Sequence, residues 1–153
     1  MCRVLVVEDD TPSRDFIRLC LCDEHKVYEA KTVREALSAL STFSFDVVLL
    51  DLSLPDGHGE NILSQVSSDV AAVVITSFKA DSHERAKLLN MGALYVLLKP
   101  FAVDELKAIV RRSARYAKAN ATLRGAECLG GSLLDELRKN REQLEDARRL
   151  LRA

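Results

Sequence analysis

The sequence has no apolar run of roughly 18 residues, so no segment of it crosses a membrane as a helix. It has no excess of charge of one sign. The 22 Lys and Arg and 23 Asp and Glu leave a net charge of −1 at pH 7, which excludes a generally basic nucleic-acid binder. Cysteines are few, at 2, 20, 22 and 128, and no pair has zinc-finger spacing. Cys20 and Cys22 in LCLC are two apart and do not face each other on a helix. They read as free thiols packed as small hydrophobes in a reducing compartment. No leader-type apolar segment opens the chain, because Arg3 and Glu8 interrupt the first apolar run, and a cytoplasmic location is expected. GxxxxGK[ST] is absent, as are helix-turn-helix and cyclase signatures. The output therefore lies with a partner protein, or the chain is a fragment whose effector domain is missing.

What the sequence does have is alternation. Apolar residues make up 48% of it, enough for a substantial core. RVLVV (3–7) is a short β-rich run, followed by a helical pattern over 11–23 with Thr11 as N-cap and Pro12 at the first helical position. KVYEA (26–30) is a weaker strand, and Thr32 with Glu35 forms a capping box opening a second helix. FDVVLLDL (45–52) is the strongest buried strand. GENILSQV (59–66) gives a short helix and AAVVIT (71–76) a fourth strand. The helix over 81–92 ends at Gly92 in the C′ position. LYVLLKP (94–100) is the fifth strand, and 103–119 the fifth helix, with Leu106, Ile109 and Val110 on one face.

Five strand–helix repeats mean a parallel sheet covered on both faces. Right-handed crossovers make it an open, doubly wound α/β sheet, whose ligand site lies beyond the carboxyl ends of the strands. With strand order 2-1-3-4-5, Glu8, Asp9 and Asp10 end the first strand, Asp51 the third, Thr76 and Ser77 the fourth, and Lys99-Pro100 the fifth, all on one rim. Carboxylates this close raise one another's pKa. A divalent cation removes the conflict, and oxygen donors with spare water positions suit Mg²⁺. A phosphate fits between metal and Lys99, with Asp51 as the acceptor that would form an aspartyl phosphate.

VVEDD, LLDLSLPDGHG, VVIT and LLKPF, in this order, resemble the receiver domain of bacterial two-component response regulators, over roughly residues 2–120. The resemblance implies a flavodoxin-like fold and a regulatory phosphoacceptor rather than an enzyme. It implies that Asp51 takes a phosphoryl group from a histidine kinase or phosphotransfer protein. Asp9 would bind Mg²⁺ directly and Glu8 through a metal-bound water, while Ser53 offers its backbone carbonyl. Thr76 would hydrogen-bond the phosphoryl oxygen, and Lys99 would pair with it. The Lys99-Pro100 bond is often cis in this family. Outside that set, Asp10 reads as a helix-N-terminal acid, Asp56 and Gly57 as turn formers, and His58 as a loop residue. Arg111, Arg112, Arg115 and Lys118 read as a solvated helix face.

The sequence departs from the family three residues before the lysine, where receivers commonly carry an aromatic that turns inward on switching. That position is Val96. Tyr95 is one residue away, on the opposite face of the strand, and cannot substitute without a bulge or register change. The expected switch therefore does not use the usual aromatic rotation. The third helix is also short for the family.

The domain organisation reads as a receiver over 1–121, a Gly-containing linker over 122–131 and an amphipathic helix over 132–153. Leu133, Leu137, Asn140, Leu144, Ala147 and Leu151 follow a heptad, with Asn140 the polar seam residue; a homodimerising coiled coil is the expected partner contact, with an amphipathic helix folding back on its own receiver as the alternative. Neither nucleic acid nor membrane is expected as a partner of this segment. Three other function classes compete with the switch. An aspartate-based phosphohydrolase needs a second acid two residues after the nucleophile, where this chain has Ser53. A pseudo-receiver would bind partners without phosphorylation, which the full set of acids, acceptor, hydroxyl and lysine argues against. A flavin-binding sheet is disfavoured because Glu8, Asp9 and Asp10 would repel its phosphate.

Overall fold

A computed structural model describes residues 1–77, 79–129 and 138–143 of the chain. The strands are β1 (Arg3–Val7), β2 (Lys26–Ala30), β3 (Val47–Asp51), the short β4 (Ser53–Leu54) and β5 (Gly57–His58), β6 (Ala71–Ser77) and β7 (Ala93–Lys99). The helices are α1 (Thr11–Leu21), α2 (Val33–Thr42), α3 (Glu60–Leu63), α4 (Ser82–Asn90) and α5 (Val103–Leu129). Five strands form one parallel sheet in the order β2-β1-β3-β6-β7, the order expected for the five principal strands. β4 and β5 form an antiparallel hairpin immediately after Asp51.

Strands β1, β3 and β6 are apolar at consecutive positions because both sheet faces are covered. Val4, Val6, Val47, Leu49, Val73 and Ile75 pack on one face with Ile17 and Leu21 of α1 and Leu106 and Val110 of α5. Leu5, Val7, Val48, Leu50, Ala72 and Val74 pack on the other with Ala36, Ile62, Leu63 and Leu88 of α2, α3 and α4. Cys2 and Cys20 pack against the first of these layers as small half-buried side chains.

Helix starts are held by carboxylates and hydroxyls. The N-cap of α1 is Asp10, whose side chain accepts from the Ser13 N–H at 2.9 Å. This moves the cap one residue before Thr11 and puts Pro12 in the second helical position. Thr32 caps α2 by accepting from Glu35 N–H at 3.1 Å. Glu35 reaches back to Lys31 N–H at 2.8 Å, one residue beyond the usual box. The two remaining first-turn donors of α2 are satisfied from a distance: Asp56 accepts from Val33 N–H at 2.8 Å and from Arg34 N–H at 3.1 Å. These bonds hold the Asp56 carboxyl below the usual carboxylate range. Asp56 is thus a turn residue that also closes the start of another helix. At the other end of a helix, Gly92 follows the C-cap of α4 with φ 110°, the left-handed region that favours glycine.

Two expectations shift toward the C-terminus. The fifth helix does not stop at 119 but continues to Leu129, through most of the segment read as a linker. One interior glycine, Gly125, costs about 1 kcal/mol, which Ala, Leu, Arg and Glu around it offset as good helix formers. The chain divides into two compact units, Met1–Lys118 and Ala119–Ala153. Gly130 and Gly131 of the linker, and Leu133, Leu137, Leu144, Ala147 and Leu151 of the heptad, lie outside the described residues. Asn140 lies on a described helical stretch, 138–143, and is exposed. Among the described residues no helix is long and apolar enough to cross a membrane.

Strand β7 is irregular where the sequence departs from the family. Ala72 pairs with Ala93 but Val73 pairs with Tyr95, leaving Leu94 as an extra residue in β7. Beyond this bulge the ladder is regular, and Tyr95 packs with the α1–α5 layer while Val96 packs with the layer of α2, α3 and α4. Arg112 of α5 stands over the Tyr95 ring at 5.7 Å from its centroid, a cation–π contact. Tyr95 is thereby committed to the opposite sheet face from the position it would need to replace the missing aromatic.

Candidate functional site

The carboxyl ends of β1, β3 and β7 bring Glu8, Asp51 and Lys99 together. In the pleat, Asp51 alternates with Leu49, and Lys99 with Leu97, so each projects from the α1–α5 face of the sheet. The Lys99 ammonium donates to Asp51 Oδ2 at 2.7 Å and to Glu8 Oε2 at 2.8 Å. The other oxygens are held by main-chain donors: Ser53 N–H donates to Asp51 Oδ1 at 2.8 Å, and Asp10 N–H to Glu8 Oε1 at 3.1 Å. Asp51 is therefore oriented from both sides while its side chain stays 13% exposed. The Lys99-Pro100 peptide is cis.

One lysine faces two carboxylates, and the charges do not cancel. Glu8 is 2% exposed. Burial pushes its carboxyl pKa up, the Lys99 ammonium counters that, and neighbouring Asp51 adds to the rise. Burial alone would lower Lys99, but the hydrogen bonds to Asp51 and Glu8 outweigh it and hold the ammonium pKa above its usual value. One ammonium against the Glu8 and Asp51 carboxylates leaves the contact one positive charge short. Asp9, the next residue after Glu8, is exposed and adds a further carboxylate.

The donor set fits a hard divalent cation. Among the described residues no three His, Cys, Asp or Glu side chains form a ready-made metal cage. Mg²⁺ needs none, since it keeps several waters and takes one or two carboxylates. The oxygen donors at these strand ends, the Asp51 and Asp9 carboxylates and the main-chain carbonyls after Asp51, are of the kind such a hydrated ion takes.

The loop after Asp51 is tight. Gly59 N–H donates to Leu52 O at 3.0 Å. A Cβ at Gly59 would lie 2.5 Å from Asp51 O and 2.9 Å from Leu52 Cα. Next to the carboxylates opens a cleft of 790 Å³ whose walls include Pro12, Phe16, Thr76, Pro100 and Phe101. Phe16 is 44% exposed and faces Phe101 at 6.3 Å between ring centroids.

Glu8, Asp51 and Lys99 are thus in direct contact, Ser53 touches Asp51 through its N–H, Thr76 lines the adjoining cleft, and Asp9 follows Glu8 in the chain. Thr76 alternates with Val74 and Ala72, residues of the layer of α2, α3 and α4, and pairs with Leu98. Ser77 occupies the register position opposite Lys99. His58 is exposed in β5, paired with Ser53. Arg111, Arg112, Arg115 and Lys118 of α5 are all exposed, as expected of a solvated face; on that face Arg111 makes a two-pronged bond to Glu24 at 2.8 and 2.7 Å and Arg112 contacts Tyr95.

Arg14 has no place in the sequence reading of the site. It is 5% exposed, and its guanidinium Nη1 donates to the carbonyls of Glu8 at 3.0 Å and Asp9 at 3.3 Å. A signal for it existed: Arg14, Ile17 and Leu21 are spaced i, i+3, i+7, the buried stripe of α1.

Residues 4–111 match the family model described as the response regulator receiver domain; the chain belongs to this family, whose members are the phosphorelay-controlled domains of two-component systems. The KDP operon transcriptional regulatory protein KdpE of Escherichia coli is 34% identical over 121 residues, covering 78% of this chain and 54% of that protein. The cell cycle response regulator CtrA of Brucella ovis is 35% identical over 127 residues, covering 78% and 55%. The chain spans about half the length of these two relatives. A CheY-like response regulator receiver domain protein from Methanospirillum hungatei superimposes with a TM-score of 0.72 over 78% of this chain and 98% of that one. At 24% identity it bears on the fold alone.

Proposed function

We propose that Asp51 is the phosphoacceptor of this receiver domain and takes its phosphoryl group from the phosphohistidine of a sensor kinase or phosphotransfer protein. The observation that carries this reading is the Lys99 ammonium shared between Asp51 and Glu8 at the carboxyl ends of three strands. An Asp51 carboxylate oxygen bonds to phosphorus as the donor's P–N bond breaks, the electron pair passing to the imidazole nitrogen. Lys99, held protonated, stays beside the oxygens on which charge collects. Asp9 and Asp51, with the Ser53 carbonyl, would hold Mg²⁺ directly and Glu8 through water. When bound, the metal supplies the missing positive charge. The cleft at Phe16, Pro100 and Phe101 offers a donor protein an apolar landing beside the acceptor. The chain would work in the cytoplasm, where its thiols stay reduced. Pairing of two copies through Leu133, Leu137, Asn140, Leu144 and Leu151 rests on heptad spacing alone.

Intact mass after incubation with Mg²⁺ and a small phosphodonor tests the acceptor. The chain gains one phosphoryl group and Asp51→Asn gains none. Equal gain by the variant sinks the assignment, and no gain by the natural chain favours the pseudo-receiver reading.

Thr76 lines the cleft together with Asp51 and Lys99, which supports it as the hydroxyl that meets the phosphoryl oxygen. Loss of a hydrogen bond to a charged oxygen slows phosphorylation about tenfold in Thr76→Ala. An unchanged rate in a stopped-flow time course removes the role from Thr76.

A further inference from the structure

We propose that Arg14 is a positioning residue for the cation-binding acids, fixing the main chain from which Glu8 and Asp9 project. This rests on the reading that Asp9 and Glu8 serve a divalent cation. A guanidinium buried on the apolar stripe of α1 carries a desolvation cost that a purely packing role would not justify. Its donors converge on the end of β1. Nη1 donates to Glu8 O at 3.0 Å and to Asp9 O at 3.3 Å. Nε is anchored by Glu29 of β2 at 3.2 Å, and Nη2 reaches Thr11 Oγ1 at 3.4 Å. From the other side, Glu8 N–H donates to Ala30 O at 3.1 Å.

The two peptide planes that follow the strand are therefore pinned, and with them the Cα–Cβ directions of both acids. The need is physical. Past Val7 the ladder of β1 with β3 has ended, and the acids repel one another. Without a brace, this end of the chain would relax by turning Asp9 away. Lysine keeps the charge but lacks the planar fork that reaches two carbonyls while anchored to Glu29.

The test is Mg²⁺ binding by isothermal titration. Arg14→Lys raises the dissociation constant about tenfold, the usual scale for groups that orient ligands. Its phosphorylation rate at saturating Mg²⁺ stays within roughly twofold of the natural chain, since the acceptor and Lys99 are untouched. Arg111→Lys, which weakens an ion pair remote from the acids, leaves the Mg²⁺ dissociation constant unchanged within about 1.5-fold. If the natural chain binds no Mg²⁺, the cation reading itself fails. If it binds and Arg14→Lys binds equally well, Arg14 is a structural residue only and the proposal is overturned. Should Arg14→Lys not fold, Glu29→Gln weakens the Nε anchor, together with a longer ion pair to Arg18 at 3.9 Å that does not touch the acids. A rise of about threefold is then expected, and an unchanged constant is equally decisive against the proposal.

Discussion

Lys99→Met slows phosphorylation of Asp51 about a hundredfold at saturating Mg²⁺, the effect of removing one preorganised charge from the developing phosphoryl oxygens. The same substitution changes stability in a way that depends on pH. The ammonium is the partner both of Asp51 and of nearly buried Glu8, so its loss strands two carboxylates. The cost is about 2 kcal/mol near neutral pH, below the range for fully buried pairs because Lys99 is 32% exposed. Glu8 has a raised pKa in the folded state. Its protonation favours the fold at low pH, and that benefit is lost as pH rises through the folded value. Removing Lys99 takes away the ammonium that restrains this rise. The melting deficit of Lys99→Met therefore narrows as pH falls into the range where Glu8 takes up its proton, and Mg²⁺ stabilises the variant by binding only its folded form. Thermal melts across pH with and without Mg²⁺ measure both. A deficit independent of pH, together with an unchanged phosphorylation rate, would contradict the electrostatic account of the site.

Gly59→Ala loses about 3 kcal/mol, the upper end of overpacking costs, and its melting temperature falls by about 10 °C. No unusual backbone angle is involved, since φ at Gly59 is −58°. The cause is the main chain of the acceptor strand, with Asp51 O only 2.5 Å from the added carbon. Neither side of that contact is a flexible side chain, so the hairpin of β4 and β5 must move off Asp51, loosening the Ser53 N–H that orients the carboxylate. Phosphorylation slows along with the loss of stability. Gly57→Ala is the control. Its added carbon meets only side-chain tips, Val33 at 3.4 Å and Asn61 at 3.9 Å, and its cost stays within about 0.5 kcal/mol. Equal melting temperatures for the two variants would show that the loop absorbs the methyl group.

Much of this architecture was legible because its signals are local. Val47–Leu50 and Ala71–Ile75 read as buried strands from unbroken apolar runs, and parallel pairing then carried Asp51 and Lys99 to one rim. Glu8 and Asp9 followed from the end of β1. What was not legible depends on contacts across the fold. Asp56 reads as a turn former from its neighbours, and its bonds to Val33 and Arg34 span more than 20 residues. The bulge at Leu94 has no residue signature, yet it decides the face on which Tyr95 lies. The helix through Gly125 shows the limit of punctuation: one glycine is a weak stop when its neighbours all favour helix.

Asp56 has a consequence for how the domain breathes. A carboxylate on the hairpin that supplies the first-turn acceptor of α2 makes two distant segments share one opening event. The amides of Val33 and Arg34 exchange with solvent only when the acceptor hairpin lets go, so loosening around Asp51 and fraying of α2 belong to a single cooperative unit. A partner resting on the first turn of α2 could thereby sense the state of the acceptor loop without touching it.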